Sequence, residues 1–387
     1  MRFNALLLLL IAFAAPPAFS ADPPDGTTAP GEDIDPATGL ARSSVVRPLR
    51  DEPPVPDARR IPAQPARPHI ALILPTGSPS LATLAENVRL GFAAAVEAAG
   101  REAPPVAYTA VDNEQAALVE ACRNAQAAGA LLIVGGMTRD GAAAFAKSGC
   151  ARVPTLALNE PPPGTEFPPN VFSVSLSLEN EARQAALLAV AEGRHTAIVI
   201  HSPSPLARRV VEAFEREWMR AAGEIRGRLA FSGTSDDAPA VRDKLAGVNA
   251  DMVFMALDPP EARLVRPYVS GMLPVYATSM SINPRAEAIV NVDLQGVRYM
   301  EMPWFIQPDH PAVMVYPAPK GGLSVEHERL YAFGIDAFRI GLVLLKGARN
   351  VPTDGVTGRV TLEGNHFTRL MGPAEVDGGR VIPLRAP

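Results

Sequence analysis

Apolar and polar positions fall along this chain in repeating blocks. Residues 70–74 form an unbroken apolar run of strand length, closed by Pro75 and the short polar loop Thr76-Gly77-Ser78. Such a run suits a strand buried on both faces of a parallel sheet. An Ala-rich stretch follows, with Leu84, Val88 and Phe92 at helical spacing and Gly100 as its stop. The same rhythm then recurs. Strands are predicted at 106–111, 130–134, 153–158 and 171–176, with helices at 112–128 and 139–148 between them, the first opened by a capping box of Asp112 and Gln115. Beyond a proline-rich break at 161–169 a second series begins, with helices at 178–192 and 205–222 and strands at 196–201, 229–231, 251–257 and 275–278. A long helix at 325–346 and glycine-punctuated hairpin material from Gly355 onward complete the pattern.

Strands alternating with helices imply mainly parallel sheets with right-handed crossovers. The roughly 320 residues from His69 onward exceed what one core usually supports, so two lobes are expected. The predicted class is therefore α/β, each lobe a mainly parallel sheet flanked by helices, with a hinge between them. We assign 69–170 and 302–350 to the first lobe, and 171–301 and 351–387 to the second. Ahead of them, 1–20 reads as an export signal: Arg2, an apolar run at 5–15, and Ala18-Phe19-Ser20 before the cleavage point. That run is far short of the ~20 apolar residues that span a bilayer. No cysteine lies near the cleavage point, so a periplasmic chain without lipid acylation is expected. Residues 21–68, rich in proline and charge, read as a disordered linker.

Charge narrows the function. The formal net charge is −5 with both signs mixed throughout, and no basic stripe marks a nucleic-acid surface. Catalytic patterns are missing: there is no G-x-S-x-G elbow, no H-E-x-x-H helix and no Gly-Lys-Ser/Thr after a Gly-rich loop. His69, His195, His201, His310, His327 and His366 are scattered without metal-ligand spacing. Asp236-Asp237 reads as a solvated turn. No enzyme, cofactor or metal is expected. Two cysteines, Cys122 and Cys150, leave two readings open: a disulfide, invited by an oxidising compartment, or a buried thiol on the face that Cys122 shares with Leu118, Ala121 and Ala125.

Ligands of open α/β sheets gather outside the carboxyl ends of the strands, and pockets favour the space between lobes. The candidates there are Thr76, Gly77, Ser78, Gly136, Thr138 and Asn159 in the first lobe, and His201, Ser202, Asp258, Thr278 and Ser279 in the second. Hydroxyls and free N–H groups at helix starts could hold a carboxylate. The competing reading is that these residues cap helices and solvate loops. Trp304 lies where the chain recrosses the hinge, either lining the cleft or packed in the core.

Several stretches, in order, resemble the lipoprotein activators of penicillin-binding proteins, whose C-terminal domain has a type I periplasmic-binding-protein fold. They are IALILPTGSPSLATLAENVRLGF at 70–92, VSLSLENEARQAA at 174–186, RRVVEAFEREW at 208–218, PEARLVRPYV at 260–269, PVYATSMS at 274–281, GVRYMEMPW at 296–304, RLYAFGIDAFRI at 329–340 and TGRVTL at 357–362. The resemblance implies a non-enzymatic envelope protein that contacts a peptidoglycan synthase, that is, a penicillin-binding protein. The linker stands where that family carries a helical-repeat domain, which brings in an alternative: a receptor that captures an amino acid or similar small polar solute for the permease of an ABC transporter. Amino-acid receptors of this fold use hydroxyl residues after the third and fourth strands; here the third offers Thr138, and the fourth offers Asn159 beside Glu160.

Overall fold

The computed structural model describes residues 67–269, 271, 273–347 and 353–384. The export segment 1–20 and the linker up to residue 66 lie outside the described residues. The first lobe opens with β1 (His69–Leu74), α1 (Ala82–Ala99), β2 (Val106–Ala110), α2 (Gln115–Ala127), β3 (Ala130–Gly135), α3 (Arg139–Lys147), β4 (Thr155–Ala157) and β5 (Val171–Val174). The second contains α4 (Leu178–Ala191), β6 (Thr196–His201), α5 (Pro205–Arg220), β7 (Glu224–Ala230), α6 (Ala238–Leu245), β8 (Met252–Ala256), α7 (Pro259–Val265), β9 (Val275–Ala277), α8 (Ala288–Asn291) and β10 (Val297–Glu301). The chain then returns to the first lobe through α9 (Pro303–Ile306), α10 (Val325–Leu345), β11 (Thr353–Asp354), β12 (Arg359–Glu363) and β13 (His366–Leu370). It ends in the second with β14 (Gly372–Asp377) and β15 (Arg380–Pro383).

Two sheets result, ordered β11-β12-β13-β5-β4-β3-β1-β2 and β15-β14-β10-β9-β8-β6-β7. Strands β1 to β5 pair in parallel, as do β6 to β10, and the C-terminal strands add antiparallel edges. This corrects two lobe boundaries. Strand β5 belongs to the first sheet, between β4 and β13, because a strand buried at every position needs a neighbour on each side. The C-terminal segment is not one hairpin in the second lobe but two, split at Met371, each completing a different sheet.

Local sequence explains most elements. Every position of β1 is buried, as its apolar run requires. Thr138, Ser177, Ser204 and Ser324 accept hydrogen bonds from the backbone at the starts of α3, α4, α5 and α10. Asp112 does something other than the predicted capping box: it accepts from Glu114 N and turns the chain one step ahead of α2. Strand β7 is longer than expected, and its exposed and half-buried positions alternate as an edge strand's do. Cys122 and Cys150 are bonded to each other, with Cα atoms 6.0 Å apart, tying α2 to the segment after α3.

Helices α2 and α3 cover one face of the first sheet, and α6 and α7 cover one face of the second. The other faces share a single apolar cluster, running from Phe92, Phe338 and Leu132 through Met302 and Trp304 to Ala182, Phe214 and Trp218. The lobes therefore meet across a continuous core.

Candidate functional site

Three short segments join the lobes: 175–177, Met302 and Met371. The polar groups around them form a buried network. Arg329 of α10 grips Glu301 with both guanidinium nitrogens, at 2.5 and 2.7 Å, and Glu301 also accepts from Met302 N and the Tyr299 hydroxyl. Arg369, 2% exposed, donates to the carbonyls of Ser175 and Thr357. Gln184 of α4 reads both sides of the third crossing, donating to Arg369 O and accepting from Met371 N. Arg285 of the second lobe forks onto Glu328 of α10, which also accepts from Trp304 Nε1 at 2.8 Å. The guanidinium groups of Arg285 and Arg329 both lie over the Phe305 ring, 5.0 and 4.8 Å from its centroid.

Glu181 of α4 lies inside this network and accepts from Ser279 N at 2.9 Å. Burial pushes its carboxyl above the ordinary value, against the pull of Arg329, the Ser279 bond and Arg369, while Glu301 adds to the rise. A carboxyl raised on folding binds more protons folded than unfolded, so stability falls as pH climbs from the unfolded pKa through the folded one. Glu181→Gln keeps an acceptor for Ser279 and removes the charge. Thermal melts should show the variant more stable than the parent at pH 8, with the gap closing toward pH 4; a constant gap would exclude a titrating Glu181.

Between the lobes lies a recess of about 270 Å³. Its floor is the first crossing, Ser175 to Leu178; Met137, Asn159 and Glu160 form one wall, Leu206 and Arg209 the other, and Leu330 and Phe333 of α10 close it. Several of its polar groups are spent on one another, whereas Arg139 on the same lining has no hydrogen-bond or ion-pair partner among the described residues. Ser175 Oγ donates to Glu160, Asn159 donates to Met137 O and accepts from Glu160 N, and Arg209 pairs with Glu179 at 2.9 Å. Burial would raise the Glu179 carboxyl, but hydrogen bonds from Arg209, the backbone and Ser177 outweigh it and hold the group below its ordinary value.

Of the twelve residues singled out from the sequence, Asn159 alone lines this recess. The others are engaged within the fold. Thr76 bonds the Tyr108 hydroxyl, Gly77 N donates to Val111 O, and buried Ser78 bonds Ser80. Gly136, at φ +65°, turns against the Phe145 ring, and Thr138 caps α3. His201 donates to the Ser202 carbonyl, and Ser202 donates to Ser204. Asp258 and Glu261 make a reciprocal capping box, and Thr278 accepts from Met280 N while Ser279 meets Glu181. Trp304 is buried beside Tyr331. Strand-end position led to one lining residue, Asn159; much of the lining comes from the crossing and from α5 and α10. The signal that could have found it is the run Ser175-Leu176-Ser177-Leu178 between a strand and a helix, all four of which line the recess, Ser177 also capping α4.

Among the described residues no helix is long and apolar enough to cross a membrane, and no group of His, Cys, Asp and Glu is arranged to hold a metal.

Two lobes joined by three crossings around an internal recess define a type I periplasmic-binding-protein-like fold. The chain belongs to the LppC lipoprotein family, whose model matches residues 63–230 and 241–371. That description leaves the expectation of an unacylated chain without support. Among its relatives is the penicillin-binding protein activator LpoA of Photobacterium profundum, 24% identical over 76% of this chain and 53% of its own. LpoA of Klebsiella pneumoniae is 24% identical over 67% of this chain and 42% of its own. The chain thus spans about half the length of the curated relatives it matches. Among solved structures, the C-domain of LpoA from Haemophilus influenzae, described as a regulator of PBP1A, superposes with a TM-score of 0.68 at 23% identity, covering 82% of this chain and 100% of that one. A Chromobacterium violaceum protein, assigned by description to a branched-chain amino acid ABC transporter, gives a TM-score of 0.70 at 35% identity, covering 80% and 100%.

Proposed function

We propose that this protein acts in the bacterial periplasm as a non-enzymatic regulator of peptidoglycan synthesis, binding a penicillin-binding protein rather than turning over a substrate. The observation carrying the reading is that the chain belongs to a family that includes named activators of such synthases, with a recess whose walls are partly bonded to each other. An amino-acid receptor needs free donors for a carboxylate in its cleft, because a buried charge without partners is costly. Here the Asn159 amide donates to Met137 O and Ser279 N to Glu181, and the acidic Glu160 and Glu179 line the recess, with Arg139 the one lining arginine that lacks a partner among the described residues. The two-lobed body then serves as a rigid surface for a protein.

The test is a glycan cross-linking assay with a purified bifunctional synthase of the same organism. Adding the full chain should raise the fraction of cross-linked peptides; an unchanged fraction, with no complex on a pulldown, would refute the proposal. The likeness to the Chromobacterium violaceum protein favours a second reading, a solute receptor. A thermal-shift screen of amino acids separates the two, because a ligand at 100 times its Kd adds about 2.7 kcal/mol. A clear shift with one amino acid would favour the receptor.

A further inference from the structure

A second concavity, sharing no residue with the recess, crosses the lobe boundary. It is a groove of about 480 Å³ between α4 and the end of α5 on one side and the β12–β13 hairpin on the other. Residues 180, 183, 184 and 187 present one face of α4 to it, at the three- and four-residue spacing of a helix stripe.

The charge of this groove runs against that of the chain. Its lining holds four arginines, Arg183, Arg220, Arg359 and Arg369, against Glu217 and Glu363, in a protein of formal net charge −5. Glu217 is already paired with Arg220. Arg183 and Arg359 have neither a hydrogen-bond nor an ion-pair partner among the described residues. Arg369 is the more telling group: it is 2% exposed, it reaches the groove from the hinge, and among the described residues its bonds go to carbonyls and a thioether, never to a carboxylate. Burial holds its guanidinium below the ordinary value, although Glu181, Asp336 and Glu301 pull it back from beyond hydrogen-bond distance. A buried cation without an anion at hydrogen-bond distance is an electrostatic cost that an incoming carboxylate would offset. Two leucines stand open among these charges, Leu187 at 45% and Leu370 at 59% exposed. Apolar side chains ringed by arginine are the composition of a protein-contact patch.

We propose that this groove receives an acidic, leucine-bearing segment of the protein partner, with its carboxylates on Arg183, Arg359 and Arg369 and its apolar side chain between Leu187 and Leu370. The assignment rests on the partner-binding reading above and adds to it a location and a chemistry. The walls come from different lobes, so an occupant clamps both and fixes the angle between them.

The experiment uses the full chain in three forms: the parent, R183E/R359E, and R380E as an exposed control on β15. Binding of the periplasmic part of a bifunctional synthase, followed by biolayer interferometry, should weaken about tenfold or more in R183E/R359E and hardly at all in R380E. Binding by the parent should also weaken as salt is raised. Equal binding by the parent and R183E/R359E would overturn the groove while leaving the activator reading intact. If the parent does not bind the synthase at all, the activator reading fails, and a labelled peptide of alternating glutamate and leucine decides the groove. Salt-sensitive capture of that peptide, lost in R183E/R359E and absent for its lysine–leucine counterpart, supports the groove; no capture, or a charge-dependent thermal shift with inorganic phosphate alone, overturns it. Thermal melts of R183E/R359E should match the parent, and R183A/R359A, with no reversed charge, repeats the comparison if they do not.

Discussion

Gly334→Ala is expected to destabilise the first lobe by about 1–3 kcal/mol, the range for inserting a methyl group into a packed interior. Helices α1 and α10 approach so closely that a Cβ built on Gly334 would stand 2.1 Å from Val88 O and 2.8 Å from Phe92 N. A Cβ on Gly91 would meet Tyr331 O at 1.8 Å. Those neighbours are backbone, so relief requires moving a whole helix. The edge-to-face contact of Phe92 and Phe338, with centroids 5.2 Å apart, moves with it. Alanine gains about 1 kcal/mol over glycine in a helix interior, and the clash must exceed that to give the predicted sign. Gly341 on the same helix is the control. Its Cβ would meet side chains alone, Leu132 Cδ2 at 2.7 Å and Val134 Cγ2 at 4.0 Å, and the Leu132 end can swing aside, so Gly341→Ala should be near neutral. Urea unfolding of the two variants separates the cases. Equal midpoints would show that the helices relax apart without cost. Gly91→Ala with Gly334→Ala should cost less than the sum of the two, because one separation relieves both clashes.

The helix register was legible in the sequence, and the closeness was not. The predicted helix at 325–346 lies within a residue of α10, because its apolar spacing and the Ser324 cap are local signals. The glycines within it give no hint of which neighbour they admit, since that depends on a helix more than two hundred residues away. The lobes divide in a similar way. Alternating strands and helices announced two sheets, but the split at Met371 was hidden: 366–377 reads as one extended stretch, and only pairing partners separate β13 from β14. For the recess, the strand-end polar residues supplied one lining residue, Asn159. Yet helix starts and cleft walls demand the same residue types, and which need each one meets is settled by geometry. The hinge was the least legible part. Glu301, Arg329 and Arg369 read as ordinary charges in a sequence, and nothing local tells that the fold buries them together.

That buried set carries the other large effect. Glu301→Ala is expected to cost about 3–5 kcal/mol, because removing one partner leaves the other charge buried and uncompensated. Glu301 is 0% exposed and takes both forks of Arg329, whose side chain is 11% exposed. Burial would push the Arg329 guanidinium down, but Glu301 outweighs it and raises the group above its ordinary value, so Arg329 keeps its charge. Without Glu301 the carboxylate left to act on Arg329 is Glu181, whose own carboxyl is raised by burial and offers poor compensation. Met302 N and the Tyr299 hydroxyl would also lose their acceptor, at about 1–3 kcal/mol for each buried group left unpaired. Glu301→Gln keeps the shape and one acceptor, and should fall between parent and alanine. Glu301→Leu combined with Arg329→Met removes both charges at similar volume and should be less damaging than Glu301→Ala alone. Chemical unfolding of the four proteins reads this out as shifts in midpoint at constant slope. If the double apolar variant is as unstable as the alanine one, the cost comes from packing at the second crossing rather than from a stranded charge.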